Sequence, residues 1–354
     1  MGIGTRDNLH LRTKGDWEYC EETLPKVSRT FALNVGQLEG DTYRAVLLGY
    51  LFFRIADTFE DNMYQSEFEK IRALDDYSKI FRGNRSLDDR LKLYESLKFR
   101  WHEESPDKDL VENGDRVIYC YFALPDRYRK IMDPYIVRTS EGMAKFQKRK
   151  LESNSRIFQL RDIGDLQDYC YYVAGVVGMM LTRIFCEQLN ITGLKSELEK
   201  HQVRFGTALQ LTNIVKDYQK DLKRGWCYIP ASVTAKYNIS LEKLDSLSDS
   251  QKKEILKMLV PEILDAYDST LKYIKAIPED ERAIRMFCII PFVLAYNTLL
   301  HITEMKGNKI SREQVATILT ECSFYARSSR LLEEDYSRVA SKLEQSFSYV
   351  WREG

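Results

Sequence analysis

The strongest constraint on the fold is a helical repeat of apolar residues that runs through almost the whole chain. Apolar side chains recur every three or four residues in segments such as 41–62, 115–149, 164–190, 200–223, 251–276, 281–305 and 311–346. Alternation with a period of two is almost absent, and only 8 Pro and 17 Gly occur in 354 residues. The pattern predicts an all-α protein with short connections between its helices.

No change of composition divides the chain, so we expect one helical domain over residues 1–354. Residues 1–25 are predicted to form an N-terminal extension, and residues 300–354 the C-terminal helices. The segments 45–56, 171–181 and 286–296 are apolar on nearly every side, which is typical of helices in the centre of a large bundle. Pro291 predicts a kink in the last of them.

The bulk composition excludes several classes of protein. Lys+Arg and Asp+Glu both total 53, so no net positive charge is available to attract nucleic acid. The seven cysteines form no CxxC pair, which predicts free thiols in a reducing, cytoplasmic compartment. We expect no secretory signal, no membrane-spanning helix and no C-terminal anchor, because no uncharged apolar run reaches about 18 residues.

A first pair of carboxylates stands at the end of an apolar segment, in "YLFFRIADTFED" (50–61). Asp57 and Asp61 are four residues apart, so a helix places them on one face together with Tyr50 and Arg54. Charges on an otherwise apolar helix are costly unless they are paired or bound. The alternative to a binding site is a local Arg54–Asp57 ion pair where the helix emerges into solvent.

A second pair with the same spacing lies in "ALQLTNIVKDYQKDLKRGWCYIP" (208–230). The polar face of this predicted helix carries Gln210, Asn213, Asp217 and Asp221. Lys216, Lys220, Lys223 and Arg224 surround the aspartates. A solvated helix face is the alternative interpretation here.

Taken together, the two pairs predict an all-oxygen cation site. Mg²⁺ or Mn²⁺ prefers such ligands and commonly shares its coordination with substrate phosphates. The neighbouring Lys and Arg side chains suit a phosphate clamp. The sequence contains no P-loop, dinucleotide-binding or EF-hand pattern, so we expect a diphosphate bound through the metal.

Five blocks resemble the squalene and phytoene synthase family in the family's order. They are "VSRTF" (27–31), "YLFFRIADTFED" (50–61), "DYCYYVAGVVGMMLTRIF" (168–185), "LQLTNIVKDYQKD" (209–221) and "FCIIPFVLAYNTL" (287–299). The resemblance implies an all-α isoprenoid synthase type I bundle with a central cavity. It also implies head-to-head condensation of two prenyl diphosphates through a cyclopropyl intermediate.

The resemblance further implies a role for each matching residue. Asp57, Asp61, Asp217 and Asp221 would hold the metal. Contacts to substrate would come from Ser28, Arg29, Thr30, Phe31, Tyr50, Arg54, Gln210, Asn213, Lys216 and Phe287. Tyr172 would take part in proton transfer, and Lys309 and Arg312 would bind NADPH.

Each of these assignments has a structural alternative. Ser28 suits an N-cap, Tyr172 and Phe287 suit a core, and Lys309 with Arg312 suits a solvated loop. Gly175 and Gly178 leave room either for a chain-like substrate or for a closely packed helix. Lys220 departs from the family, which usually has an acidic residue at this position.

Three functions are compatible with these residues. "LTRIF" (181–185), "FCIIPFVLAYNTL" and the chain length favour a squalene synthase that uses NADPH. "RGWCYIP" (224–230) favours a dehydrosqualene or phytoene synthase that works without NADPH. The four aspartates argue against a catalytically silent binding protein. We expect a monomer in contact with a membrane surface, and the sequence leaves the substrate chain length open.

Overall fold

The chain folds almost entirely into helices, as predicted. The structure, a computed structural model, describes residues 4–98, 104–191 and 193–348. The ends of the predicted N-terminal extension and C-terminal helices, residues 1–3 and 349–354, lie outside the described residues. Contacts cluster into two compact units, Met1–Asn154 with Arg183–Asn190 and Ser155–Thr182 with Ile191–Gly354. The single domain stays a prediction, and each unit is described by itself.

Within the described residues, the first unit contains eight helices and the C-terminal part of a helix whose first part belongs to the second unit. They are α1 (Gly4–Val27), α2 (Arg29–Val35), α3 (Gly40–Asp61), α4 (Glu67–Phe81), α5 (Leu87–Glu95), α6 (Pro106–Glu112), α7 (Gly114–Ala123), α8 (Asp126–Ser153) and residues 183–190. Helix α4 packs along α8, and α3 lies against α4, α6, α7 and α8.

Aromatic rings fill the centre of this unit. The ring of Phe52 on α3 lies edge-on to Phe81, at 4.9 Å between centroids, and to Tyr121, at 5.6 Å. Phe59 meets Tyr77 in the same way at 5.4 Å. Each fully buried ring contributes about 1.5–3 kcal/mol. This core explains why α3 is apolar from Ala45 to Phe53, shortly before the first aspartates.

The second unit contains the remaining elements. They are β1 (Phe158–Gln159), α9 (Ile163–Cys170), a π-helical turn (Tyr171–Gly175), the first part of α10 (Val176–Leu189), α11 (Leu194–Lys223), β2 (Trp226–Cys227), α12 (Ala231–Lys236), a 3₁₀ turn (Leu241–Ser246), α13 (Asp249–Ala276), α14 (Arg282–Thr303), α15 (Arg312–Tyr325) and α16 (Ser329–Ser348). β1 and β2 pair in parallel. Helix α11 packs against α13, α14 and the π-helical turn.

A buried arginine and a cluster of rings organise this unit. Arg285 has no exposed surface, and its guanidinium donates to the carbonyl oxygens of Ile277 and Ala326 at 2.7 and 2.9 Å. These bonds satisfy carbonyl groups at the end of α13 and between α15 and α16. Phe292 lies 5.1 Å from Tyr296 between ring centroids, which places it in the packed core.

Two predicted helices are interrupted in the structure. The segment 115–149 is two helices, because Pro125 restricts Leu124 to extended backbone with ψ 149°. The segment 311–346 breaks at residues 326–328, next to the carbonyl that Arg285 binds. Helix α14 in contrast continues through Pro291.

Among the described residues, two helices are long and apolar enough to cross a membrane by length and composition alone, whereas the sequence predicted no membrane-spanning helix. They are Ile163–Leu189 and Arg282–Thr303, with mean hydropathy of 1.4 and 1.7 in their most apolar windows. These windows are 56% and 72% buried inside the protein. Core helices of a bundle have the same properties, so the finding is weak evidence for a membrane span.

The cysteines are free thiols, as predicted, and all are buried except the half-buried Cys186. Burial raises the pKa of the Cys227 thiol to about 12, which keeps it protonated at neutral pH.

Candidate active site

The first aspartate pair lines a pocket at the C-terminal end of α3. Asp57 is half-buried and Asp61 is exposed. Both line a cavity of about 380 Å³ together with Arg54, Asp107 and Tyr64. The helical spacing therefore places both carboxylates on one face, as the sequence predicted, and that face lies in a concave site.

Arg54 is held by a residue that sequence reasoning missed. Its guanidinium donates two parallel hydrogen bonds to Asp107, Nε to Oδ1 at 2.9 Å and Nη2 to Oδ2 at 3.0 Å. Burial lowers the pKa of Arg54, but the hydrogen bonds to Asp107 and the charge of Asp57 outweigh it and raise the pKa overall. Arg54 is thus a fixed cation beside Asp57, and its bidentate partner is not Asp57 but Asp107.

The position of Asp107 follows from a helix-start pattern. The Oγ of Ser105 accepts a hydrogen bond from the backbone N–H of Lys108 at 3.1 Å, and Pro106 occupies the first turn of α6. "SPD" is a recognisable start signal. The sequence could have predicted this helix from it, but not the pairing of Asp107 with a residue 53 positions away.

Three predicted substrate residues come together beside this pocket. Ser28 caps α2, as predicted, by accepting a hydrogen bond from the N–H of Phe31 at 3.2 Å. The Phe31 ring lies 5.1 Å from the Tyr50 ring. Burial raises the pKa of the Tyr50 hydroxyl. Arg29 and Thr30 point into solvent on the same short helix.

Two buried lysines lie next to the first pair. Lys70 and Lys150 are only 5% and 7% exposed. Lys150 forms an ion pair with Glu67 at 3.0 Å. Burial and the charge of Lys150 lower the pKa of Lys70, while Glu67 and Asp61 oppose that shift. The lysines therefore balance part of the negative charge beside Asp61, and no sequence signal pointed to them.

The second aspartate pair lies in the second unit, on the last turns of α11. Asp217 forms ion pairs with Lys216 at 3.2 Å and with Lys220 at 2.5 Å. Asp221 is 5% exposed and forms an ion pair with Arg224 at 2.5 Å. Burial raises the pKa of Asp217, but its hydrogen bond with Lys220 and the charge of Lys216 lower it overall.

The loop that precedes α15 and contains Lys309 contacts α11 close to the rest of its predicted polar face. Asn213 accepts a hydrogen bond from Lys216 at 2.7 Å, and Gln210 is half-buried one turn earlier. The side-chain amide of Asn308 donates to the backbone carbonyl of Lys216 at 2.9 Å. Lys309 follows directly in the sequence and is exposed, and so is Arg312 at the start of α15. The predicted cofactor segment therefore contacts the second aspartate motif.

Tyr172 lies in irregular helix. Residues Tyr171–Gly175 form a π-helical turn, and the Tyr172 side chain is half-buried. π-Helical turns are rare in proteins, and those that occur often lie at functional sites.

Phe287 is 3% exposed and belongs to the core of its unit.

The glycines that follow Tyr172 serve close helix packing. A Cβ on Gly178 would lie 3.0 Å from the amide nitrogen of Gly206 and closer still to the carbonyl oxygen of Gln202. A Cβ on Gly206 would in turn collide with the carbonyl oxygen of Ala174. Of the two alternatives for Gly178, the structure supports the closely packed helix.

The donor atoms suit a hard divalent cation. Each pair offers carboxylate oxygens only, and the described residues contain no cluster of three or more His, Cys, Asp or Glu that could enclose a metal. Mg²⁺ usually keeps water and substrate phosphates as ligands beside one or two carboxylates, so two-carboxylate sites fit it.

Comparisons with known proteins point to one family. A family profile described as squalene/phytoene synthase matches residues 24–319. Squalene synthase of Dictyostelium discoideum is 29% identical over 291 residues, covering 80% of this chain and 64% of the relative. Squalene synthase 1 of Arabidopsis thaliana is 28% identical over 290 residues, with the same coverage. The chain thus spans about 64% of the length of these curated relatives.

Solved structures show the same fold. The structure of TcSQS with the ligand BPH1237 has a TM-score of 0.77 at 22% identity, covering 94% of this chain and 96% of that one. A dehydrosqualene synthase in complex with a ligand has a TM-score of 0.63 at 21% identity, covering 90% and 98%. With the profile match over most of its length, the chain belongs to the squalene/phytoene synthase family.

Proposed function

We propose that this protein is a squalene synthase. It condenses two farnesyl diphosphates head to head to presqualene diphosphate in the presence of Mg²⁺, and then rearranges that intermediate reductively with NADPH to squalene. The observation that carries the proposal is the Asp57–Asp61 pair in a concave pocket, with Arg54 fixed beside it. The similarity to curated squalene synthases supports the choice of reaction.

In this proposal each aspartate pair, Asp57 with Asp61 and Asp217 with Asp221, holds divalent cations. When bound, Mg²⁺ neutralises the charge that builds up on a departing diphosphate. Lys216 and Lys220 are paired with Asp217 in the structure, and they would be available to phosphate oxygens once a cation took their place at that carboxylate.

Arg54 contacts the diphosphate as a pre-oriented cation. Because Asp107 occupies two of its donors, an N–H group that faces away from Asp107 is the one offered to phosphate. A fixed donor loses little conformational entropy when the substrate binds. Asp107 is therefore a positioning residue in the proposal.

The remaining assignments concern the prenyl chains and the reductant. Phe31 and Tyr50 provide apolar and aromatic surface for the chains and for the carbocation, whereas Phe287 lies in the packed core. Arg29, Thr30, Gln210 and Asn213 supply polar contacts to diphosphate, and Tyr172 takes part in proton transfer. Lys309 and Arg312 bind the phosphate of NADPH, which is supported by the contact of their segment with α11.

A dehydrosqualene or phytoene synthase is the second candidate, favoured by the "RGWCYIP" turn after α11. These enzymes end the second step by losing a proton and need no NADPH. We further propose a cytoplasmic monomer that touches a membrane surface, since the hydrocarbon product partitions into lipid.

Product analysis separates the two enzymes. The protein is incubated with farnesyl diphosphate and Mg²⁺, with and without NADPH, and the hydrocarbons are identified by mass. Squalene that forms only with NADPH supports the first proposal. Dehydrosqualene formed irrespective of NADPH supports the second and refutes the first, and no hydrocarbon at all refutes both.

A further inference from the structure

A second large groove lies in the first unit, away from the aspartate pair. It has a volume of about 740 Å³ and lies between the end of α4, the loop to α5, the end of α7 and α8. No residue that lines it also lines the pocket of Asp57 and Asp61. We call it the basic groove.

The groove concentrates positive charge in a chain whose formal net charge is zero. Six cationic side chains face three acidic ones: Arg82, Arg85, Arg90, Arg129, Lys130 and Arg138 against Asp126, Asp133 and Glu141. A concave surface with one dominant sign of charge attracts ions of the opposite sign more strongly than a flat one.

The floor of the groove is a buried network of hydrogen bonds centred on Asp133. Arg90 is 4% exposed, and its two terminal nitrogens donate to Asp133 at 3.1 and 2.8 Å. The hydroxyl of Tyr121 also donates to Asp133, at 2.5 Å. The guanidinium carbon of Arg90 lies 5.5 Å from the centroid of the Phe81 ring. Asp133 is thus neutralised internally, and the buried Nε of Arg90 has no hydrogen-bond partner among the described residues.

At the rim, Glu141 pairs with Arg82, so Asp126 is the acid left for the neighbouring cations of α8. Arg129 and Lys130 share a single carboxylate, that of Asp126, at 3.1 and 2.6 Å. Arg85 is exposed and has no carboxylate partner within the described chain, and only its Nε is bonded, to the carbonyl of Lys79 at 2.9 Å. An anion in the groove would therefore meet donors that no protein acid satisfies.

Helix α4 separates the groove from the aspartate pocket. Lys70 lies near the start of this 15-residue helix, close enough to Asp61 for that charge to affect its pKa. Phe81, at the end of the helix, lines the groove. At 1.5 Å per residue the helix is about 22 Å long, so the two sites are separate.

We propose that the basic groove binds a phosphate-bearing anion. Those of its cations that lie on α8 are spread over about two and a half turns, from Arg129 to Arg138, a distance of about 13 Å. This length exceeds one phosphate and suits a diphosphate or the phosphate of a lipid headgroup. Arg85, which has no carboxylate partner within the described chain, and the two cations that share Asp126 can form the charge-assisted bonds that phosphate oxygens accept. The proposal does not rely on the chemistry of the aspartates.

The test measures binding without metal, which removes any Mg²⁺-dependent contribution from the aspartates. Sodium diphosphate is titrated into the full chain in EDTA by calorimetry, and flotation is measured with phosphatidylglycerol and with phosphatidylcholine vesicles. The variant is Arg85→Gln/Lys130→Gln, two exposed changes that leave the buried network intact. The matched control is Lys26→Gln/Arg72→Gln, which removes two exposed cations, 55% and 76% exposed, from the same unit.

We expect the wild type to bind diphosphate or the anionic vesicles, and the groove variant to bind about tenfold or more weakly. Binding of diphosphate alone identifies a free anion as the ligand, and binding of phosphatidylglycerol vesicles alone identifies a headgroup. No binding of either, or an equal loss in the control, overturns the inference. The groove variant keeps Mg²⁺-dependent diphosphate release, so failure here is distinguishable from failure of the proposed function.

Discussion

Replacing Gly178 by alanine tests the close helix packing that follows Tyr172. The added Cβ would lie 3.0 and 3.2 Å from the amide nitrogen and Cα of Gly206 and closer still to the carbonyl oxygen of Gln202. All three obstacles are backbone atoms, so no side-chain rotation relieves the overlap and α10 must move away from α11. Overpacking of this kind costs about 3 kcal/mol, whereas alanine gains about 1 kcal/mol in helix propensity. The expected net loss is about 2 kcal/mol.

The matched control is Gly15→Ala, because Gly15 lies inside α1 and a Cβ there would meet no atom within 4 Å. This change should stabilise the protein by about 0.5–1 kcal/mol. The free energy of unfolding is measured from urea titrations followed by circular dichroism. Two variants of equal stability, or a Gly178→Ala variant as stable as the wild type, would refute the packing argument.

Three further predictions concern local contacts. A double-mutant cycle with Asp107→Asn and Arg54→Met should give a coupling energy of about 1–2 kcal/mol in urea unfolding, since two charge-assisted bonds join partly exposed partners, and a coupling near zero contradicts it. Ser28→Ala should lose about 1 kcal/mol of stability with the cap of α2, whereas an unchanged urea midpoint would argue against the cap. Because the pKa of Asp217 is lowered in the folded protein, its carboxylate stabilises the fold at pH values above the ordinary pKa of about 3.9. This stabilisation is lost as the pH falls through the folded pKa. Lys220→Gln should therefore lower stability at neutral pH and reduce the loss between about pH 6 and about pH 2, and an unchanged pH profile would contradict that.

Local patterns predicted the elements that carry the first aspartates. The segment 41–62 corresponds to α3 at Gly40–Asp61 within one residue, because its apolar repeat is strong. The N-cap at Ser28 was equally predictable, since capping depends on neighbours in sequence. The break before Pro125 was also predictable, because a proline disfavours helical backbone at the residue before it.

The contacts that orient the charges depended on tertiary structure. Asp107 reaches Arg54 across 53 residues, and nothing in either segment specifies the other. Burial of Lys70 and Lys150 is a property of packing, because lysine is usually exposed. The π-helical turn at Tyr171–Gly175 has no sequence signal comparable to a cap or a proline.

The central claim is that both aspartate pairs serve one Mg²⁺-dependent ionisation of a prenyl diphosphate. The most direct measurement is the rate of diphosphate release from farnesyl diphosphate with Mg²⁺, for the wild type, Asp57→Asn and Asp217→Asn. Asp249→Asn, a change at a 71% exposed aspartate, is the control. The account predicts a loss of about 100-fold or more in each site variant with unchanged helical content, and wild-type release in the control. Wild-type release by either Asp57→Asn or Asp217→Asn would contradict it.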